Sequence, residues 1–344
     1  MTQSKTFTRR GALRTLAGLP LAASMIGLPR FASAATPEYE FKFGHNLPTS
    51  HPLHIRALEA AARVAEESKG RMAVSVFPNN QLGGDTDMLA QVRSGGIDMF
   101  NAGTMVIATL TPISAITAVG FAFSDASEVW KTVDGKLGDT VRGAFAKVGL
   151  HTLEKMWDNG FRQITTGTKP VQTAADMDGM KIRVPVSPMG ISLFKALGSA
   201  PTSLQFSEVY SALQTKVVDA QENPLVIVET AKLYEVQKYC SLTNHSWDGY
   251  HMVVNGRSWR NLPDDLKAIY SRAFNEAGLQ QRDDLAKLNT TLQEKLAGTG
   301  LKFNTADTQS FRDQLRKAGF YAEWKKKFGD EAWALLEASV GKVS

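Results

Sequence analysis

Tyr39-Glu40-Phe41-Lys42-Phe43, the run from Pro52 to Ser68, and Met72-Ala73-Val74-Ser75-Val76 decide the fold of this chain. In the first segment aromatic and charged residues alternate, the period of two that marks a half-buried strand. Pro52 to Ser68 switches to helical periodicity, opens on a proline and stops before Gly70. Met72, Val74 and Val76 give the next strand. Asp85 is placed to cap a helix that runs to about Arg93 before Gly95-Gly96, and Ile97 to Ala102 reads as a third strand. Strand, helix, strand, helix, strand implies a largely parallel sheet covered by helices, the α/β class. Ligands on such sheets sit beyond the carboxyl ends of the strands, which puts Asn46, Gly103 and Thr104 beside the expected site.

The alternation resumes near Arg162. Lys181 to Pro185 is a strand ended by proline, Ser187 to Leu197 a helix closed by Gly198, Ser207 a cap for a helix through Thr215, and Leu225 to Tyr234 a further helix. From Pro263 to about Ala297 the pattern is helical throughout. At 1.5 Å per residue that helix spans about 50 Å, longer than one lobe, so it is expected to back two. A chain of 344 residues also exceeds what one core covers. The expected lobes are 35–160 plus about 249–288, and 161–248 plus about 289–344, with no flexible linker between them.

Residues 1–34 read as a cleaved signal peptide: Thr8-Arg9-Arg10 gives a positive start, Leu16 to Leu28 is apolar but broken by Gly and Pro, and Ala32-Ser33-Ala34 is a small-residue cleavage site. Paired arginines before Leu13 suit a twin-arginine signal, whereas Ala12 stands where that signal has a bulky apolar residue, so twin-arginine and Sec export both stay open. No later stretch is apolar for long enough to span a membrane. Lys5, Arg9, Arg10, Arg14 and Arg30 carry the leader's charge; the other Lys and Arg of the 39 balance the 34 Asp and Glu. A neutral mature surface without a basic block gives no footprint for nucleic acid. The single cysteine, Cys240, excludes an internal disulfide and reads as a buried thiol.

Asn159-Gly160-Phe161-Arg162-Gln163, Asp176-Met177-Asp178-Gly179-Met180-Lys181-Ile182-Arg183-Val184-Pro185, Ala200-Pro201-Thr202, Phe206-Ser207-Glu208-Val209-Tyr210 and Asp219-Ala220-Gln221-Glu222-Asn223-Pro224 carry a resemblance. Together with Thr243-Asn244-His245 they resemble the solute-binding subunits of tripartite ATP-independent periplasmic (TRAP) transporters, the DctP family. The resemblance implies a two-lobed periplasmic binding protein fold, a cleft that closes over a small organic acid, a periplasmic location, partnership with small and large TRAP membrane subunits, and neither cofactor nor catalysis. The family's carboxylate-binding arginine falls on Arg183. A guanidinium suits that task because its planar fork meets a carboxylate with two parallel hydrogen bonds and stays charged when desolvated; an isolated Lys-Ile-Arg-Val string would equally fit a surface arginine at a sheet edge. Arg162 and Asn223 match two more ligand positions, although Asn-Pro also starts turns. Phe206 matches a position that packs on ligand, although an apolar residue before a cap also serves as a staple.

Two departures bear on the ligand. The sialic-acid branch of the family has an acidic residue near the end of the third strand, where Gly103 stands here, which argues against sialic acid. Trp157 and Trp247 add aromatic character, and aromatic faces suit an apolar ligand body. The expectation is therefore an aromatic or apolar 2-hydroxy or 2-oxo monocarboxylate, with a uronate, an aldonate or a C4-dicarboxylate as alternatives. A sensor presenting ligand to a receptor kinase would use the same lobes. A metal-dependent hydrolase could draw on His45, His51 and His54, but no HExxH, paired CxxC or nucleophile elbow occurs, and no metal site is assigned.

Overall fold

In the computed structural model, which describes residues 36–343, the opening stretch folds as β1 (Tyr39–Gly44), α1 (Pro52–Glu67), β2 (Met72–Phe77), α2 (Asp85–Ser94) and β3 (Met99–Gly103). The leader expected over residues 1–34 lies outside the described residues. β1 pairs in parallel with both β2 and β3. α1 buries Leu53, Ala57, Ala60, Ala61 and Val64, a stripe at helical spacing, and His51 caps it through Nδ1, which accepts Leu53 N–H at 3.1 Å. The start of α2 differs from expectation. Gly84 takes the cap position, the Asp87 carboxylate accepts Gly84 N–H at 3.0 Å, and the Asp85 side chain turns inward, where it is 4% exposed.

After α3 (Thr104–Ile107), α4 (Ala126–Val133) and α5 (Lys136–Lys147) come two short strands, β4 (Leu150–Thr152) and β5 (Trp157–Phe161). The chain then leaves this sheet through one residue, Arg162. A second sheet follows: β6 (Gln163–Thr166), β7 (Lys181–Val184), α6 (Pro188–Ala196), β8 (Ala200–Ser203), α7 (Val209–Gln214), β9 (Ala220–Asn223), α8 (Leu225–Thr230) and β10 (Tyr239–Leu242). Ser187 caps α6, its hydroxyl accepting Gly190 N–H. Ser207 does not cap its helix; a short 3-10 turn at Phe206–Glu208 intervenes, held by Glu208 accepting Gln205 N–H. Residues 243–246 return the chain to the first sheet, where β11 (Trp247–Asn255) lies antiparallel to β3, β4 and β5. The first sheet is ordered β2-β1-β3-β11-β4 with β5 also on β11; the second, edged by β12 (Lys302–Thr305), is ordered β12-β10-β6-β9-β7-β8.

α9 (Gly256–Asn261) leads into α10 (Asp264–Gly298), the long helix expected from the pattern. It packs on α1 and β5 of the first lobe and on α8 and β12 (Lys302–Thr305) of the second. Gly278 lets α10 approach closely, since a Cβ there would come within 2.7 Å of Trp157 Nε1. Of the last helices, α11 (Thr308–Lys317) and α12 (Phe320–Phe328) pack on α6, whereas α13 (Asp330–Val340) turns back onto α4 and α5. The tail that chain order assigns to the second lobe thus straps the first.

Candidate functional site

The cleft between the sheets is defined by where the chain crosses. Arg162, alone between β5 and β6, donates its backbone N–H to Ser246 O at 2.8 Å and so ties the two adjacent crossovers together. Gln163 and Asn244 reinforce the tie: Gln163 Nε2 donates to Asn244 Oδ1, and Asn244 N–H to Gln163 Oε1. Asn244 reaches this geometry at φ +44°, in the left-handed region that asparagine tolerates.

Beside the crossovers lies a narrow cavity. Asn46, Leu47, Asp85, Gly103, Met105, Val106, Asn159, Asp248 and Tyr250 line it from the first lobe, and Arg183, Pro185, Phe206, Asn223 and Ile227 from the second, with Arg162 at the seam. The sequence-predicted residues Arg183, Arg162, Asn223, Phe206 and Asn46 are thus brought together. Thr104 stands just behind the wall, donating from Oγ1 to Asp248 Oδ1 at 2.5 Å. The walls are drawn in so far that about 30 Å³ remains, room for about one water. Gln205 clasps them: its Nε2 donates to Thr86 Oγ1 at 2.5 Å and its Oε1 accepts Asp85 N–H at 2.9 Å.

The two arginines differ in what they are free to do. Arg162 is committed to protein. Nε and Nη2 grip the Glu222 carboxylate, Nη2 also donates to Asn223 Oδ1 at 3.1 Å, and Nη1 reaches Asp248 Oδ2 at 3.3 Å. Burial alone would raise the Glu222 carboxyl, but Arg162 and His245 hold it down at about 2. His245, on the other crossover, meets Glu222 through Nε2 at 3.1 Å; burial lowers its pKa while Glu222 pulls it up. Arg183 is 2% exposed and spends Nε and Nη2 on one backbone carbonyl, that of Leu204. Among the described residues no carboxylate forms a salt bridge with it. Burial, reinforced by Arg162, pushes this guanidinium down to about 10 although Glu222 and Asp85 pull the other way. A buried cation held only by a neutral oxygen is a poorly compensated charge, and an anion in the cavity would compensate it.

Facing it are acceptors. Asn46 Oδ1, Asp85 Oδ1 and Asn159 Oδ1 are buried without a hydrogen-bond partner, and all three residues line the cavity. Burial raises the Asp85 carboxyl, opposed by the charge of Arg183 and by Asn46 and Asn80. Asp85, Asn159, Glu222 and Asp248 were not singled out from sequence. Asp85 reads there as a helix cap, and Asp248 was lost inside a segment read for its aromatics.

The structure puts both tryptophans of that aromatic reading in the core. Trp157 is fully buried beneath α10, and Trp247 packs edge-on against Phe123 and Trp130 while its Nε1 donates to Asp158 Oδ1 at 2.9 Å. Neither lines the cavity; both are core. Of the histidines, His45 Nε2 and His54 Nδ1 meet at 3.0 Å, His51 is spent on its cap, and among the described residues no three His, Cys, Asp or Glu side chains gather as a metal-ligand set. Cys240 is buried, and burial pushes its thiol up to about 12.

Residues 43–326 match the family described as bacterial extracellular solute-binding protein, family 7, DctP. The chain belongs to this family, the solute-binding proteins of TRAP transporters. It is 34% identical over 301 residues, 87% of this chain and 92% of the relative, to the 2,3-diketo-L-gulonate-binding periplasmic protein YiaO of Escherichia coli. Among solved structures, it is similar to a TRAP periplasmic solute-binding protein from Sulfurospirillum deleyianum with bound succinate, with 31% identity, a TM-score of 0.82, and 88% and 100% of the two chains covered. The sugar acid binding protein DctPAm of Advenella mimigardefordensis in complex with galactonate gives 28% identity and a TM-score of 0.84, covering 90% of this chain and 99% of that one. DctP-family members of this kind are periplasmic binding proteins, not enzymes. Among the described residues no helix is long and apolar enough to cross a membrane.

Proposed function

We propose that this DctP-family protein captures a hydroxylated organic acid in the periplasm and delivers it to the small and large membrane subunits of a TRAP transporter. The observation that carries the reading is Arg183, a buried guanidinium without a carboxylate salt bridge among the described residues, in a cavity that unpartnered acceptor oxygens also line. A ligand carboxylate would take the free edge of the guanidinium, and Asn223 and Phe206 would hold and cover it. Asn46, Asp85 and Asn159 present acceptors, so the rest of the ligand has to donate, which hydroxyls do and a phenyl ring does not. A sugar acid satisfies both walls. An aromatic acid would leave those buried oxygens unpaired, at about 1–3 kcal/mol each, and the tryptophans that favoured it lie in the core. The similarity to binders of 2,3-diketo-L-gulonate and galactonate points the same way.

A thermal-shift panel of aldonates, uronates, C4-dicarboxylates, sialic acid and phenyl-bearing 2-oxo acids tests the reading. A ligand at 100 times its Kd adds about 2.7 kcal/mol of stability. The largest shift is expected from an aldonate or uronate; a panel led by the phenyl acids would overturn the hydroxy-acid reading and leave the binding-protein family intact.

A further inference from the structure

Resting on the hydroxy-acid reading, we infer that Asp248 sets which acid is taken: it accepts a hydroxyl at the end of the ligand remote from Arg183 and turns away a second carboxylate there. Asp248 comes from β11 in the first lobe and lines the same cavity that Arg183 lines from β7 in the second. Thr104 Oγ1, Asn159 Nδ2 and Arg162 Nη1 all aim donors at its oxygens, the environment of an acceptor-only carboxylate. Two of those contacts, both to Oδ2, are long at 3.3 Å, so this oxygen retains capacity for a shorter bond to a ligand hydroxyl.

Gly103 keeps that oxygen uncovered. Its φ of −62° suits any residue, so the backbone does not require glycine there. A Cβ at position 103 would, however, come into van der Waals contact with Asp248 Oδ2 at 3.4 Å, so the glycine leaves room beside that oxygen.

Charge then decides the ligand class. Arg162 already serves two carboxylates, Glu222 and Asp248, and has no charge left over for a third anion beside it. A terminal hydroxymethyl group adds a donor; a terminal carboxylate adds a third anion and no donor. The expected ligands are monocarboxylic polyhydroxy acids, with diacids of the same length excluded.

Calorimetric titration with galactonate and galactarate, which differ at one end by CH₂OH against COO⁻, tests the assignment. Wild type is expected to bind galactonate at least thirtyfold more tightly. Asp248→Asn, checked for folding by circular dichroism, keeps the side chain's shape and is expected to narrow that ratio below threefold, mainly by gaining galactarate. Gly103→Ala, which shields Oδ2 without changing charge, is expected to weaken galactonate at least fivefold. Equal wild-type affinities for the two acids would overturn the inference, whether or not either variant folds; so would an unchanged ratio in folded Asp248→Asn. If neither acid binds but an unhydroxylated carboxylate does, the hydroxy-acid reading falls and the role of Asp248 with it.

Discussion

Glu222→Gln removes one charge from the seam between the lobes and keeps its shape. In the wild type Glu222 is fully buried, its carboxylate gripped by Arg162 from one crossover and met by His245 from the other. Its folded pKa of about 2 lies below the ordinary 4.5, so the stability it contributes is complete above the unfolded value and lost as pH falls through the folded one. A depression of about 2.5 pH units at about 1.4 kcal/mol per unit gives about 3 kcal/mol at neutral pH. Stranding a buried partner in an ion pair costs a similar 3–5 kcal/mol. Urea denaturation of both proteins should therefore show Glu222→Gln less stable by about 3 kcal/mol at pH 7, with the gap narrowing by about 1 kcal/mol at pH 4 as wild type begins to lose the term. A gap below about 1 kcal/mol at pH 7, or one that does not move with pH, would refute the argument that this carboxylate holds the seam through its charge.

Two further outcomes follow from the same geometry. Burial raises Asp158 to about 6, so the folded state holds a proton that the unfolded chain releases, and stability from this group falls as pH rises from below about 4 through about 6. Asp158→Asn retains an oxygen for Trp247 Nε1–H and should stabilise the protein by up to about 3 kcal/mol at pH 7.5, shrinking below about 1 kcal/mol at pH 4; equal midpoints at both pH values would speak against it. Gln205→Ala removes the clasp to Thr86 and the Asp85 backbone, so the ligand-free protein should show a larger radius of gyration by small-angle scattering; superimposable curves would dismiss the clasp.

The fold was legible where periodicity was strong. β1 and the 35-residue α10 announce themselves through a periodic buried face, and β3 through an unbroken run that is buried throughout. In the site, Arg183, Arg162, Asn223, Phe206 and Asn46 were legible through their motifs, and the cavity gathers them. Asp85 was not, because an aspartate at a helix start reads as a cap, and only the structure shows Gly84 and Asp87 managing that end while Asp85 faces inward. Trp157 and Trp247 misled for the converse reason. A tryptophan in a polar segment reads as a ligand platform, but strand alternation is a local rule and cannot say which face of β11 meets the cleft and which meets α4. The division of labour between Arg162 and Arg183 was also hidden, since it depends on Glu222, sixty residues along the chain from Arg162, reaching one arginine and not the other.

The central claim is that Arg183 anchors the ligand carboxylate, and calorimetry with the tightest-binding hydroxy acid of the panel tests it most directly. Truncating one partner of a buried, hydrogen-bonded charge pair costs about 2–5 kcal/mol, so folded Arg183→Ala should bind roughly 30-fold to several thousandfold more weakly, at about 1.4 kcal/mol per factor of ten. Arg183→Lys should recover only part of that loss, because an ammonium supplies charge without the fork. A less than threefold loss in folded Arg183→Ala would contradict the account.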